Sequence, residues 1–288
     1  MPWIFSGFSD EAGDSAEEQI AALASAGLRH IDVRSVDGFN ITQLPLEDAR
    51  VLRGKFDEAG IAVNMLGSPI GKVDITDDFE PELTRLDHVA AVANLLGSNR
   101  IRIFSYYNRS DVSQSDWQTT ALRRLRALRT RAQERGMILY HENERHIFGD
   151  RVEQVLAILH ELRDGKSFRA IFDFDNYNQS GEDVWESWLK LREMTDGFHL
   201  KESDADHQHM PLGQGVCRVR DILADALSRG WTGSLSLEPH LSRSPAVMAT
   251  GPGGEHNQRL ADLTPAQTFQ YAAQQARNLL GEMAAPID

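Results

Sequence analysis

The chain has 288 residues, of which 41% are hydrophobic and 25% charged, and its formal net charge is −13 at pH 7. This is the composition of an ordinary globular protein, with enough apolar residues for a core. A chain this acidic lacks the basic footprint that nucleic-acid binding requires, so we expect no nucleic-acid partner.

Two features favour a cytoplasmic location. The single cysteine, Cys217, rules out an internal disulfide and is typical of a reducing compartment. The amino terminus lacks the basic start and apolar core of a signal peptide, and no apolar stretch is long enough to span a bilayer. We therefore expect no membrane association.

Seven glycines divide the chain into units of similar length. Each follows an amphipathic helical stretch and precedes a short apolar run, and neighbouring ones lie 29 to 39 residues apart. Glycine often ends a helix because it adopts the left-handed conformation without a Cβ penalty. The positions are Gly27, Gly60, Gly97, Gly136, Gly165, Gly197 and Gly230. This spacing predicts one strand and one helix per unit.

Helix-start signals near both ends of the chain complete the count of predicted helices. Ser15 with Glu18, and Thr264 with Gln267, are capping boxes for the first and last helices. With an opening strand in WIFSGFS, eight strands and eight helices are predicted. The fold class is therefore α/β, a single (β/α)8 TIM barrel over residues 1–288, since such barrels need roughly 250 residues.

One predicted connection is unusually long. Residues at about 240–263 separate the eighth strand from the last helix and include several glycines. In a barrel this loop lies on the face that carries active sites, where it is either a lid or a disordered excursion.

Four side chains of metal-binding type stand at the ends of the fifth to eighth predicted strands. Glu142 closes MILYHE, Asp173 closes RAIFD, His199 lies in GFHLKE, and Glu238 closes GSLSLE. Three carboxylates and one imidazole suit Mn²⁺, Mg²⁺ or Co²⁺. Singly, such residues are also typical of helix caps or of structural positions. Their coincidence on four consecutive strands, which meet at one mouth of a barrel, favours a metal site.

The same stretches carry a resemblance to a known family. GFSDEAGDSAEEQ, HENERHIFGD, IFDFDNYNQSGED, HLKES and SLSLEPHL are similar to segments of the xylose isomerase-like barrel family of sugar and sugar-phosphate isomerases and epimerases, over nearly the whole chain. In members of the D-tagatose 3-epimerase type the four residues bind one divalent ion, usually manganese. The resemblance therefore implies one ion here, Mn²⁺ ahead of Mg²⁺, Co²⁺ or Zn²⁺. It also implies that Glu142 and Glu238 are the catalytic carboxylates.

The chemistry that follows is proton abstraction next to a carbonyl. A divalent ion stabilises the resulting enediolate, while one carboxylate removes the proton and the other returns it. Return to the opposite face gives an epimer, and return to the neighbouring carbon gives an isomer. We therefore expect a metal-dependent isomerase or epimerase of a sugar or keto-sugar derivative, with a small-molecule carbohydrate as its partner.

Alternative functions belong to the same fold. Inosose dehydratase-type members resemble the chain in the metal set, and elimination begins with the same proton abstraction, so a lyase acting on a keto-sugar or keto-inositol is the main alternative. An endonuclease IV-like DNA-repair hydrolase is a remote one, because that type holds three zinc ions with many histidines, and most of the ten histidines here are predicted in helices or loops. A non-catalytic metal-binding barrel and a homo-oligomer both stay open.

Several positions are candidates for substrate binding. Arg34 ends the second predicted strand and either holds a substrate anion or pairs with Glu11. Lys201 shares the face of His199 if the strand continues that far, and is otherwise a surface lysine. His240 stands in the same relation to Glu238.

Two positions depart from the tagatose epimerase type. Asn176 stands where that type has a histidine three residues after its metal aspartate, and Ala205 stands where it has an arginine six residues after its metal histidine. Those side chains contact substrate oxygens in the relatives. We therefore expect poor activity on free ketohexoses. The better substrate is expected to be an oxidised or acidic sugar derivative that uses Arg34, Lys201 or His207 in the following loop, and Asn176 is a further candidate contact.

Overall fold

The structure is a computed structural model, and it describes residues 2–248, 260 and 262–288. Eight parallel strands close into a barrel, in the order Ile4–Gly7, Ser234–Leu237, Gly197–Leu200, Phe168–Asp173, Ile138–Glu142, Arg100–Ile103, Ala62–Leu66 and His30–Val33. The predicted (β/α)8 TIM barrel is therefore confirmed. Among the described residues, no helix combines the length and the apolar character needed to cross a bilayer.

The strands are short, and two small antiparallel sheets stand outside the barrel. β3 pairs with β4, and β10 pairs with β11. The described strands are β1 (Ile4–Gly7), β2 (His30–Val33), β3 (Ser35–Val36), β4 (Phe39–Asn40), β5 (Ala62–Leu66), β6 (Arg100–Ile103), β7 (Ile138–Glu142), β8 (Phe168–Asp173), β9 (Gly197–Leu200), β10 (Glu202–Ser203), β11 (His209–Met210) and β12 (Ser234–Leu237).

Helices cover the outside of the barrel. Those described are α1 (Ala16–Ala26), α2 (Leu46–Glu58), α3 (Glu80–Leu96), α4 (Gln114–Glu134), α5 (Val152–Leu162), α6 (Phe174–Gln179), α7 (Val184–Leu191), α8 (Val219–Ser228), α9 (Pro245–Met248) and α10 (Pro265–Glu282). Both predicted capping boxes are present, at Ser15 before α1 and at Thr264 before α10. The prediction of one helix per unit is wrong in the sixth unit, where α6 and α7 share the connection, and in the eighth, where α9 precedes α10.

The glycine prediction holds at five of the seven positions. Gly27, for example, ends α1 at φ 67°. Gly165 has φ 68° but does not end a helix, because α5 ends at Leu162 and the next residue, Arg163, is already extended. Gly197 is the first residue of β9 and pairs with Ile171 and Ser234 on the neighbouring strands. A glycine before an apolar run therefore marked a strand start here rather than a helix end.

The predicted long connection is described only in part. Its described portion includes the short helix α9. Residues 249–259 and 261, on which the lid interpretation depends, lie outside the described residues.

A hydrogen-bonded polar layer lies inside the barrel. Asp32 accepts hydrogen bonds from the Ser6 hydroxyl and from Asn64 Nδ2, the latter at 2.6 Å. Arg100 Nη1 donates to Asn64 Oδ1 at 2.6 Å. Because buried polar groups are costly unless they are paired, these bonds keep the layer stable, and the barrel is filled rather than open.

The loops after β5 and β6 are tied together at Gly71. This residue has φ 89°, its carbonyl accepts from the Tyr106 amide at 2.8 Å, and a Cβ would lie 2.2 Å from the Phe104 carbonyl oxygen. We expect Gly71→Ala to lower the free energy of unfolding by about 2–4 kcal/mol, since both the backbone strain and the clash need a shift of the main chain.

The matched control for this prediction is Gly60→Ala. Gly60 has a similar φ of 68°, and no described heavy atom lies within 4 Å of the added Cβ. Only the left-handed conformation is penalised there, at about 1–2 kcal/mol. Urea unfolding of both variants tests the difference, and equal losses would contradict the close approach at Gly71.

Candidate metal centre and active site

The four predicted ligands converge at the carboxyl ends of their strands. Glu142 and Asp173 are the last residues of β7 and β8, His199 lies in β9, and Glu238 follows β12 directly. His199 Nδ1 lies 2.9 Å from Glu142 Oε1, 3.1 Å from Glu238 Oε2 and 3.9 Å from Asp173 Oδ2. All four side chains are buried, and one atom of each lies within 4.8 Å of the others.

The donor set fits a divalent ion. Three carboxylate oxygens in this group accept no hydrogen bond of normal geometry from a described residue and are held only at ion-pair distance from His199, Lys201 or Arg102, namely Glu142 Oε2, Asp173 Oδ2 and Glu238 Oε2. A buried, unsatisfied oxygen is costly, so such atoms are expected where a ligand completes the site. Three oxygens and one imidazole nitrogen are also a set that hard divalent ions accept.

The charged side chains of this group shift one another's pKa values. Burial lowers the pKa of His199, but Glu142 and Glu238 outweigh it and raise this pKa to about 10. Burial opposes the ionised form of Glu142, but His199 and Arg102 lower its pKa to about 2. Burial raises the pKa of Asp173 well above its usual value, and the neighbouring Glu142 adds to this effect. The pKa of His199 is thus raised by the same carboxylates that could hold a divalent ion.

Two asparagines position the ligands. Asn143 bridges β7 to β8, since its Oδ1 accepts from the Asp173 amide at 2.8 Å and its Nδ2 donates to the Asp173 carbonyl at 3.1 Å. Asn176 Nδ2 donates to the Asn143 carbonyl at 2.8 Å and to Glu142 Oε1 at 3.4 Å. Asn176 therefore holds Glu142 in place.

Three cations surround the carboxylates. Lys201 Nζ lies 3.0 Å from Asp173 Oδ2. Arg102 Nη1 lies between the two glutamates, 3.3 Å from Glu142 Oε2 and 3.7 Å from Glu238 Oε1. Arg34, the third cation, lies 2.7 Å from Glu238 Oε1.

A second group of possible ligands shares Glu238. Glu11, Glu238 and His240 are buried and close enough to hold an ion. Arg34 already enters this group, because it pairs with Glu238 and lies 3.6 Å from Glu11 Oε1, while two bonds of 2.8 and 2.9 Å tie it to Asp10. The guanidinium therefore supplies the positive charge here, and Arg34 joins the scaffold as well as the site.

The group formed by the four predicted ligands opens into a cavity of about 700 Å³. Of the four predicted ligands, Glu142 and Glu238 line it, and so do the substrate candidates Arg34, Lys201 and His240. The remaining lining residues are Ser35, Asn40, Gly67, Pro69, Lys72, Arg102, Phe104, Tyr107, Asn108, Arg109, Glu144, Arg145, His146 and Ala246. Asp173 and His199 lie behind this lining.

Two of the substrate candidates lie elsewhere. His207 is exposed in the turn between β10 and β11, and its carbonyl accepts from Gln179. Asn176 is buried beside Glu142 rather than in the cavity wall. The structure therefore brings Arg34, Lys201 and His240 to the cavity but not these two.

A comparison with known families agrees with the barrel fold. The family model for a xylose isomerase-like TIM barrel matches residues 20–260. The chain belongs to that family.

Individual relatives of this xylose isomerase-like barrel have different activities. A 3-dehydroshikimate dehydratase of Bacillus anthracis is 27% identical over 140 residues, which is 48% of this chain and 49% of that one, so the match spans about half of the curated relative. The solved L-ribulose 3-epimerase has a TM-score of 0.75 at 17% identity and covers 99% of this chain and 96% of its own. The IOLI protein with bound zinc has a TM-score of 0.74 at 15% identity, with 97% and 98% covered. At such identities these structures establish the fold.

Arg102 is one site residue of this xylose isomerase-like barrel that sequence analysis missed. It lies in the run Arg100–Ile103, where arginine and isoleucine alternate. Since side chains alternate across a strand, both arginines face the same side. An arginine on the inner face of a barrel strand needs a carboxylate partner, and this signal was present in the sequence.

Proposed function

We propose that this protein is a divalent-metal-dependent epimerase or isomerase of a sugar or keto-sugar derivative. One observation carries the proposal. Of the four clustered ligands, only the two glutamates, Glu142 and Glu238, also line the cavity. Two carboxylates that face both the ion site and the substrate space are what a two-base proton transfer requires.

The site residues then have separate roles in metal binding and proton transfer. Asp173 and His199, with the two glutamates, would hold one ion, which would polarise the substrate carbonyl and stabilise the developing negative oxygen. Glu142 or Glu238 removes the proton next to the carbonyl, and the other carboxylate returns one. Arg102, close to both, favours their ionised forms. Manganese is the ion that we propose, and zinc is the ion in one solved relative.

We place this chemistry in a single barrel domain, in the cytoplasm, on a small carbohydrate. The buried single cysteine supports the compartment. The nuclease alternative has less support, because one imidazole enters the four-residue group and the chain is acidic overall.

A dehydratase is the second candidate. The 27% identity to 3-dehydroshikimate dehydratase over 140 residues favours it, and elimination needs the same first proton abstraction. A carboxylate that returns a proton to carbon makes an isomer, whereas one that protonates a departing hydroxyl makes an alkene and water. The two candidates therefore share the site and differ in the second step.

Proton exchange tests both candidates. The manganese-loaded protein is incubated in D₂O with a panel of keto-sugars and oxidised sugars, and NMR and mass spectrometry follow the products. The product of an epimerase or isomerase contains deuterium and has lost no water. The product of a dehydratase has lost one water molecule. No metal-dependent exchange on any panel member, with metal bound, would contradict the proposal.

Free ketohexoses are expected to be poor substrates. Fructose, psicose and tagatose should give kcat/KM below about 10⁴ M⁻¹s⁻¹, the low end for enzymes. Asn176 donates to Asn143 and Glu142 instead of reaching the cavity, and Ala205 has no donor. A substrate hydroxyl buried without a partner costs about 1–3 kcal/mol. The best substrate of the exchange panel is the control, and a higher value on a free ketohexose would refute this specificity.

A further inference from the structure

The cavity is basic although the chain is strongly acidic. Six lysines and arginines line it, against three glutamates, in a chain of net charge −13. Two of those glutamates, Glu142 and Glu238, belong to the metal-binding group. The third, Glu144, pairs with Lys72 at 2.8 Å. The lining therefore carries positive charge beyond what its own carboxylates balance.

The excess charge is concentrated at two arginines. Arg34, Lys72, Arg102 and Lys201 each lie within ion-pair distance of a carboxylate. Among the described residues, no carboxylate pairs with the side chains of Arg109 and Arg145, the other two cations of the lining. Unlike the four paired cations, these two have charge available for a ligand.

Arg109 is held at the cavity by its own loop. Its guanidinium lies 4.3 Å from the centroid of the Tyr107 ring, over the ring face. Its backbone amide donates to Asp74 Oδ2 at 2.6 Å, and the Ser110 hydroxyl donates to Asp74 Oδ1 at 2.9 Å. Asp74 is buried, so it ties the loop after β6 to the loop after β5. The arginine is thus exposed to solvent but attached to a fixed backbone.

Arg145 is held by one side-chain and one backbone hydrogen bond. Its Nη1 donates to Gln179 Oε1 at 3.1 Å, and its backbone amide donates to Glu144 Oε1 at 2.8 Å. Because Lys72 already balances Glu144, this second bond leaves the guanidinium charge of Arg145 uncompensated. Its side chain is half-buried, where a charge is screened less than at the open surface.

We propose that Arg109 and Arg145 form an anion subsite that takes a carboxylate or phosphate group of the substrate. The inference rests on the proposed function for the other end of that molecule, whose carbonyl lies at Glu142 and Glu238. Planar guanidinium groups bind both oxyanions with paired hydrogen bonds. These two arginines take the role that sequence analysis gave to Arg34, Lys201 or His207, since Arg34 and Lys201 are already paired and His207 lies outside the lining.

The subsite is tested by binding to protein that has been stripped of metal and desalted, so that no ion contributes. Calorimetric titrations compare glucose, glucuronate and glucose 6-phosphate, which differ in one anionic group. We expect at least one anionic sugar to bind roughly tenfold or more tightly than glucose, and this preference to fall between about 0.05 and about 0.5 M salt. The stronger of the two anionic sugars identifies the group as carboxylate or phosphate.

Substitutions assign the preference to the two arginines. The double variant R109Q/R145Q should bind all three sugars with similar affinity, whereas R109K/R145K should keep most of the preference. Arg123→Gln, on the exposed face of α4, is the matched control and should behave as the wild type. Circular dichroism establishes that each variant is folded.

The outcomes separate this inference from the proposed function. Equal binding of glucose and both anionic sugars by the wild type, or a preference that survives in R109Q/R145Q, would overturn the anion subsite. Neither result depends on metal or turnover, so metal-dependent exchange measured separately would still support the proposed function. A preference lost in the glutamine variant supports the subsite even if no substrate exchanges its proton.

Discussion

Glu238→Gln is expected to lower turnover by about 10²-fold or more while the metal stays bound. An amide oxygen can still contact the ion and accept from Arg34 Nη1, which lies 2.7 Å from the carboxylate oxygen in the wild type. The amide is not a base, however, and cannot take a proton from carbon. Glu142→Gln should have the same effect for the same reason. Turnover on the best panel substrate and metal content by mass spectrometry are measured on the same preparation.

The control for this pair of variants is Glu153→Gln, an exposed carboxylate of α5 that pairs with Lys190. It should leave both metal content and turnover unchanged. If the two site variants retained near-normal turnover, the two-carboxylate scheme would be wrong. If they lost the metal as well, the result would show a ligand role and leave the base unassigned.

His199→Ala is expected to lose metal and activity together. The imidazole nitrogen lies within 3.9 Å of the three carboxylates, and no described nitrogen ligand replaces it in that group. A ligand that binds only the folded state stabilises it by about 2.7 kcal/mol at a concentration 100-fold above its Kd. The wild type should therefore melt at a higher temperature when Mn²⁺ is added, and the variant should not.

His160→Ala is the matched control, since this histidine is exposed on α5 and away from the site. It should keep the metal-induced rise in melting temperature. Asp173→Ala should also lose metal, but Asp173 caps α6 by accepting from the Asn176 amide at 2.8 Å, so its substitution also weakens a helix start. A His199 variant that still binds Mn²⁺ with unchanged affinity would refute the predicted ligand set.

Much of the fold was predictable because the signals are local. A left-handed glycine after a helix and a capping box before one depend only on nearby residues. Gly197 shows the limit of this inference. It begins β9, and its strand partners Ile171 and Ser234 are not neighbours in the sequence. Likewise, nothing in the sixth unit's length indicated that α6 and α7 divide one connection.

The barrel and the four residues that converge at its mouth could be predicted from the amino-acid sequence, because parallel strands in a closed barrel bring their carboxyl ends to one place. Which charged groups are already paired is visible only in the folded protein. Arg34 meets Glu238 across 204 positions of sequence, and Arg109 stays without a carboxylate partner among the described residues. Such pairings depend on where side chains from distant units meet, and strand alternation and residue spacing carry no information about that distance.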